Sequence, residues 1–237
     1  NQYDTRLVFL IDLLNGMIAD AAMFKQRSSL AGIETVGRAI SVIMLLPEEP
    51  SPAFDKNILD ELEKQANSIC GFYPLITVGE RAVPVLLTLP GPGGRQARDE
   101  CIDEIRRFFA EKQVIVTIGI GLLYSDPLQA PASFHQAMEA LSHRFIRGKG
   151  SVIPFESLVR KEDQYSWYPK EEIDTLIRSI MVGNHEDIRR SINSVLVRIQ
   201  KQDFSIFAAR CLCYDLVNTV AKVVISYNIN LGVLDHQ

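Results

Sequence analysis

Cysteine is scarce in this chain: four residues, Cys70, Cys101, Cys211 and Cys213, among 237. Four thiols at such irregular spacing build neither a disulfide framework nor a zinc module, so they read as buried thiols in a reducing compartment. Long apolar runs are missing too. No stretch reaches the roughly 20 residues that a membrane span needs, and the first residues lack the pattern of a signal peptide. Positive charge is not in excess: 25 Lys and Arg stand against 29 Asp and Glu, a net charge of −4. That balance leaves no electrostatic footprint for DNA or RNA, so neither direct nucleic-acid binding nor membrane insertion is expected. No Ser-His-Asp or Cys-His arrangement stands at hydrolase-like spacing, and a P-loop is excluded because no Lys-Ser/Thr follows Gly91 to Arg95.

What is present is an ordinary globular composition, 47% hydrophobic and 23% charged, in a chain long enough for one large or two small domains. The chain opens on Asn1, and it is expected to be a piece of a longer protein with further domains at either end. Leu7, Leu10, Ile11, Leu14, Met17 and Ile18 recur at three- and four-residue steps and predict a helix from Asp4, breaking at Gly16 and resuming through Met23; a second segment runs from Phe24 to Leu30. Ala39 to Leu46 is a continuous apolar run of strand length, which suits a central strand covered on both faces. Asp55 to Cys70 reads as an amphipathic helix. Phe72 to Val78 and Ala82 to Leu89 read as a hairpin around Gly79-Glu80-Arg81, with Pro84 arguing for an edge position or a bulge. Gln96 to Lys112 reads as a helix.

The stretch from Val114 to Phe155 then switches from strand to helix to strand, the pattern of a β-α-β unit. Collected, Ala39 to Phe155 reads β-α-β-β-α-β-α-β. The fold class expected is α+β, a ferredoxin-like antiparallel sheet with flanking helices, followed by an all-helical segment. After the connector Gln164 to Lys170, helices are expected over Glu171 to Val182, onward from Asn184 or His185 to about Lys201, and over the nearly apolar Ser205 to Ile225. The expected divisions are 1–38, an entering helical segment; 39–160, the sheet domain; and 161–237, the helical segment.

Three short motifs carry a resemblance. Val116-Thr117-Ile118-Gly119-Ile120-Gly121, Gln136-Ala137-Met138-Glu139-Ala140-Leu141 and Gly148-Lys149-Gly150-Ser151-Val152 resemble, in order, a strand, a helix and a turn of the GGDEF domain. That nucleotidyl-cyclase-like fold makes cyclic di-GMP. The resemblance implies a glycine pair and metal-binding carboxylates in the hairpin and at the end of the first strand, because attack of a ribose hydroxyl on phosphorus needs charge neutralisation. Here the hairpin reads Thr77-Val78-Gly79-Glu80-Arg81-Ala82, with valine at the first glycine and a base where an acid belongs. The first strand ends Met44-Leu45-Leu46-Pro47-Glu48, where Glu48 or Glu49 supplies a ligand only with a shift. The expectation is a kept fold with lost chemistry: no catalytic residue, no metal and no cofactor.

Degenerate domains of this kind resemble the central regions of AraC-type bacterial transcription regulators, and purine-catabolism-type regulators carry a similar module. Residues Phe9 to Gly16 and the Tyr168-Pro169 start of the helical segment share in that likeness. The resemblance implies a non-enzymatic, cytoplasmic, homodimeric relay, or the cytoplasmic part of a membrane-anchored regulator, between a sensor and a helix-turn-helix DNA-binding domain. Leu7, Leu10, Ile11 and Leu14 are expected to continue an entering coiled helix. The alternative is a nucleotide or small-effector sensor using a remnant cleft at Gly79, Glu80, Arg81, Gly93, Gly94 and Arg95. His135, Glu139 and His143 share one helix at four-residue steps, but successive steps drift by about 40°, so a solvated face is expected rather than a metal site. Arg144, Arg147 and Lys149 read as a solvated basic cluster.

Overall fold

The computed structural model describes residues 2–48, 56–76, 81–91, 93–159, 170–201, 212–214, 216–218 and 220–221. The chain divides into two compact units, Asn1–Arg160 and Lys161–Gln237. The first holds α1 (Gln2–Leu14), α2 (Ala21–Leu30), β1 (Arg38–Pro47), α3 (Lys56–Ala66), β2 (Gly71–Pro74), β3 (Val83–Pro90), α4 (Gly94–Glu111), β4 (Val116–Ile120), a 3-10 turn (Pro127–Gln129), α5 (Ala130–Ser142), α6 (Arg144–Arg147), β5 (Val152–Pro154) and α7 (Glu156–Val159). The second holds α8 (Lys170–Val182) and α9 (His185–Lys201).

Among the described residues the strands form one five-stranded sheet in the order β2-β3-β1-β4-β5. Every neighbouring pair is antiparallel except β4 and β5, which run parallel through the crossover helix α5. The fold class is therefore the α+β arrangement read from the sequence. β1 is apolar without alternation because both its faces are covered. Ile43 and Leu45 pack with α3 and α4 residues such as Leu59, Leu62, Ile105 and Phe109. Ile40, Val42 and Met44 pack on the other side with Phe9, Leu10, Leu13, Phe24 and Ala137 of α1, α2 and α5.

That second core changes two expectations. Residues 1–38 are not set apart from the sheet domain: α1 and α2 are its second helical layer, and Arg6 on α1 also pairs with Glu63 on α3 at 2.7 Å. Leu10 and Leu14 are buried in this core and Leu7 and Ile11 pack against it, so the apolar stripe of α1 is spent inside the domain rather than presented as a coiled seam. Gly16, at φ +71°, ends α1 as its spacing suggested. α2 starts earlier than Phe24, because Asp20 caps it by accepting from the Met23 N–H at 2.8 Å.

Pro84 also sits differently than expected. It lies inside the sheet, opposite Met44, in a strand flanked on both sides. Its carbonyl accepts from Leu75 N at 2.8 Å, so its nitrogen faces the same side, just past the end of β2. The Leu75–Pro84 pair therefore keeps one bond of two, because proline has no N–H to return, and the β2–β3 ladder ends there.

The glycines of the β4 motif have a packing reason. A Cβ on Gly119 would collide with the Ala137 carbonyl, and one on Gly121 with the Ser133 carbonyl, both on α5. Glycine there lets the helix backbone rest directly on the strand. Ser133, fully buried, then reaches into the sheet: its hydroxyl donates to Leu122 O at 2.9 Å and accepts from Val42 N at 2.8 Å.

In the second unit α8 ends at Gly183, at φ +75°, and the Asn184 side chain caps α9 by accepting from Asp187 N at 3.2 Å. Ile173, Val195 and Leu212 are buried together. The helix expected over Ser205 to Ile225 lies mostly outside the described residues; 212–214, 216–218, 220 and 221 are helical. Residues 164–169 of the connector also lie outside. Among the described residues no helix is long and apolar enough to cross a membrane.

Candidate functional site

β1, β3 and β4 bring three strand ends to one edge of the sheet, since Pro47 pairs with Val116 and Leu45 with Val83. Glu48, the first residue past β1, turns its carboxylate inward there, with none of its side chain exposed. Arg144, the first residue of α6, grips both oxygens. Its Nε donates to Oε1 at 2.7 Å and to Oε2 at 2.8 Å, and its outer nitrogen approaches Oε2 at 2.5 Å. The Thr117 hydroxyl on β4 donates to Oε1 and accepts from Gly150 N at 2.9 Å. Arg81 donates to the Glu48 backbone carbonyl at 2.7 Å.

Burial pushes the Glu48 carboxyl pKa up, but the bonds from Arg144 and Thr117 and the Arg144 charge outweigh it, so the group is held below its ordinary value of 4.5. Glu48 in turn raises the Arg144 guanidinium above its ordinary value. The result is a buried, bidentate, charge-assisted pair that links the end of β1 to α6 and the turn before β5. Reading the sequence alone assigned Arg144 to a solvated basic cluster; the structure places it on a buried acid instead. The signal in the sequence was a glutamate directly after an apolar strand.

Four of the six residues of the expected cleft are described, and Arg81 stands apart from Gly93, Gly94 and Arg95. Gly79 and Glu80 lie outside the described residues, as does Glu49. Arg81 stands before β3, while Gly93, Gly94 and Arg95 follow it. Eight residues of extended chain separate them, roughly 25 Å at the usual strand rise. Gly93, at φ +81°, turns the chain into α4, Gly94 is buried against Leu123 and Leu89, and Arg95 is exposed. An open groove of about 680 Å³ does flank the Glu48 edge, between α4 and the start of β4, lined by Asp103, Arg106, Phe109, Gln113, Val116 and Gly150. None of the four described residues of the expected cleft lines it.

Among the described residues no three His, Cys, Asp or Glu side chains gather as a metal would require, and His135, Glu139 and His143 are no exception. Burial holds the His143 imidazole below its ordinary pKa, although Glu139 pulls it up. A divalent cation does not fit the Glu48 carboxylate as the side chains stand, because Arg144 already covers both oxygens and supplies the compensating charge.

The sequence pattern of the GGDEF-like domain matches residues 15–143. The chain belongs to the GGDEF-like domain family. No curated protein matches it. The matched span takes in α2, the sheet through β4, and α5. The GGDEF-like match and the five-stranded sheet together give the chain a nucleotidyl-cyclase-like fold. Arg144, which neutralises the strand-end acid, is the residue just past the matched span.

Proposed function

We propose that this GGDEF-like domain is a non-catalytic relay in the cytoplasm, part of a bacterial AraC-type transcription regulator. In this reading it couples an upstream sensor to a downstream helix-turn-helix DNA-binding domain and acts as a homodimer. One observation carries the loss of chemistry: the carboxylate at the end of β1 is buried and paired internally by Arg144. Metal-assisted phosphoryl transfer needs that kind of charge facing a metal ion and a nucleotide, and here it faces a guanidinium. A relay reading also draws support from α1. Because α1 forms part of the second core and is tied by Arg6 to α3, a displacement arriving through it moves packed side chains and not a loose tail.

Sedimentation equilibrium across a hundredfold concentration range tests the relay. A dimer that dissociates with measurable affinity is expected; a monomer at every concentration removes the dimeric relay. The alternative is sensing of a small effector, and the groove between α4 and β4 supports it, since its volume lies in the range of small-molecule sites. Arg106→Ala altering a measured effector affinity distinguishes that reading.

A further inference from the structure

At the opposite edge of the sheet lies a second buried ion pair of different quality. Arg98 on α4 is 4% exposed, and its guanidinium meets Glu156, the first residue of α7, at 2.9 Å. Beyond that bond its contacts are marginal: Gly121 O at 3.4 Å and a 3.6 Å approach to Asp99. Arg98 Nε and Glu156 Oε2 are both buried without a hydrogen-bond partner. Buried polar atoms are almost always paired, so two orphans on one ion pair call for an explanation.

α7 itself is weakly held. It has four residues, too few to be stable on its own hydrogen bonds. Glu156, Ser157 and Leu158 are all only half-buried. The bonds from Ser157 Oγ to Pro154 O and from Leu158 N to Phe155 O are local and travel with the segment. Among the described residues, the Phe155 N to Ile120 O bond, at 2.8 Å, and the Glu156 carboxylate reach across to the rest of the unit. α7 is also the last described element of the first unit, and the chain passes from it into the second.

We propose that the Arg98–Glu156 pair is a release latch for α7. Closed, it pins the segment leaving the GGDEF-like domain to α4. Open, it exposes the two orphaned atoms to water, whose hydrogen bonds offset much of the lost ion pair. The closed and open states therefore lie close in free energy, as a switchable element requires and a structural clamp does not. The purpose of the latch rests on the relay reading, but its existence does not: a monomeric protein leaves the latch intact, and an inert latch leaves the dimer intact.

Hydrogen exchange on the whole chain tests it, comparing wild type with Arg98→Met, Glu156→Gln and the charge-swapped Arg98→Glu/Glu156→Arg. In wild type the Phe155 and Leu158 amides should exchange at least tenfold faster than β1 amides such as Ile43. Each single variant should accelerate Phe155 and Leu158 a further tenfold with β1 and α5 unchanged, and the swap should restore most of the protection. Wild-type protection at Phe155 and Leu158 equal to that of β1 overturns the proposal even if a variant fails to fold. So does acceleration spread evenly over the domain.

Discussion

The two buried ion pairs of the GGDEF-like domain sit at opposite ends of one sheet and are built to opposite standards. Glu48 is bonded by Arg144 at both oxygens and by Thr117, and its carbonyl takes a further bond from Arg81. Glu156 offers one oxygen to Arg98 and leaves the other bare. A buried charge is tolerated when its partners are complete and is precarious when they are not. Completeness at the first edge removes a carboxylate from solvent and neutralises it with a guanidinium. Incompleteness at the second leaves a segment that can let go.

The largest effect should come from breaking the complete pair. Arg144→Met strands Glu48 as an uncompensated buried acid and should lower unfolding free energy by about 3 kcal/mol, the low end for such pairs because Arg144 is one-third exposed. Urea denaturation at pH 7 measures it. Next comes Gly121→Ala, which changes no residue of either pair but forces α5 off β4. The clash is with backbone, so a loss of about 2 kcal/mol is expected, together with faster exchange along α5.

Acid sharpens the contrast. The folded pKa of Glu48 lies below its unfolded value, so its contribution is present above the ordinary 4.5 and is lost as pH falls through the lower folded value. In Arg144→Met the unpaired buried acid instead prefers its proton. The stability gap between wild type and variant should therefore narrow on going from pH 7 to pH 3. A constant gap would show that Arg144 acts through packing alone. The smallest global effect belongs to the incomplete pair: Arg98→Met should change unfolding free energy by about 1 kcal/mol or less, its consequence being local to α7.

Much of the architecture was legible in the sequence. The continuous apolar run of β1 announced a strand covered on both faces, and the change of period from Val114 to Phe155 announced the parallel β4-α5-β5 unit. What misled were features whose meaning depends on partners far along the chain. The stripe on α1 looked free because its acceptor, the second face of the sheet, begins at Ile40, well beyond the reach of local pattern. Pro84 looked like an edge residue because sequence does not say where β2 stops. Glu48 and Arg144 are separated by 96 positions, and nothing in either neighbourhood names the other. Arg81 is set apart from Gly93, Gly94 and Arg95 for a simpler reason: grouping by glycine content ignored the length of β3.

The most direct test of the account is a thermal-shift titration of wild-type protein with GTP, with and without magnesium. A ligand that binds only the folded state adds about 2.7 kcal/mol at a hundred times its dissociation constant, enough to move the midpoint by several degrees. With Glu48 paired to Arg144, no magnesium-dependent shift is predicted at millimolar GTP. A midpoint that rises only when GTP and magnesium are present together would mean that Arg144 yields its place to the metal, and would contradict a silent domain.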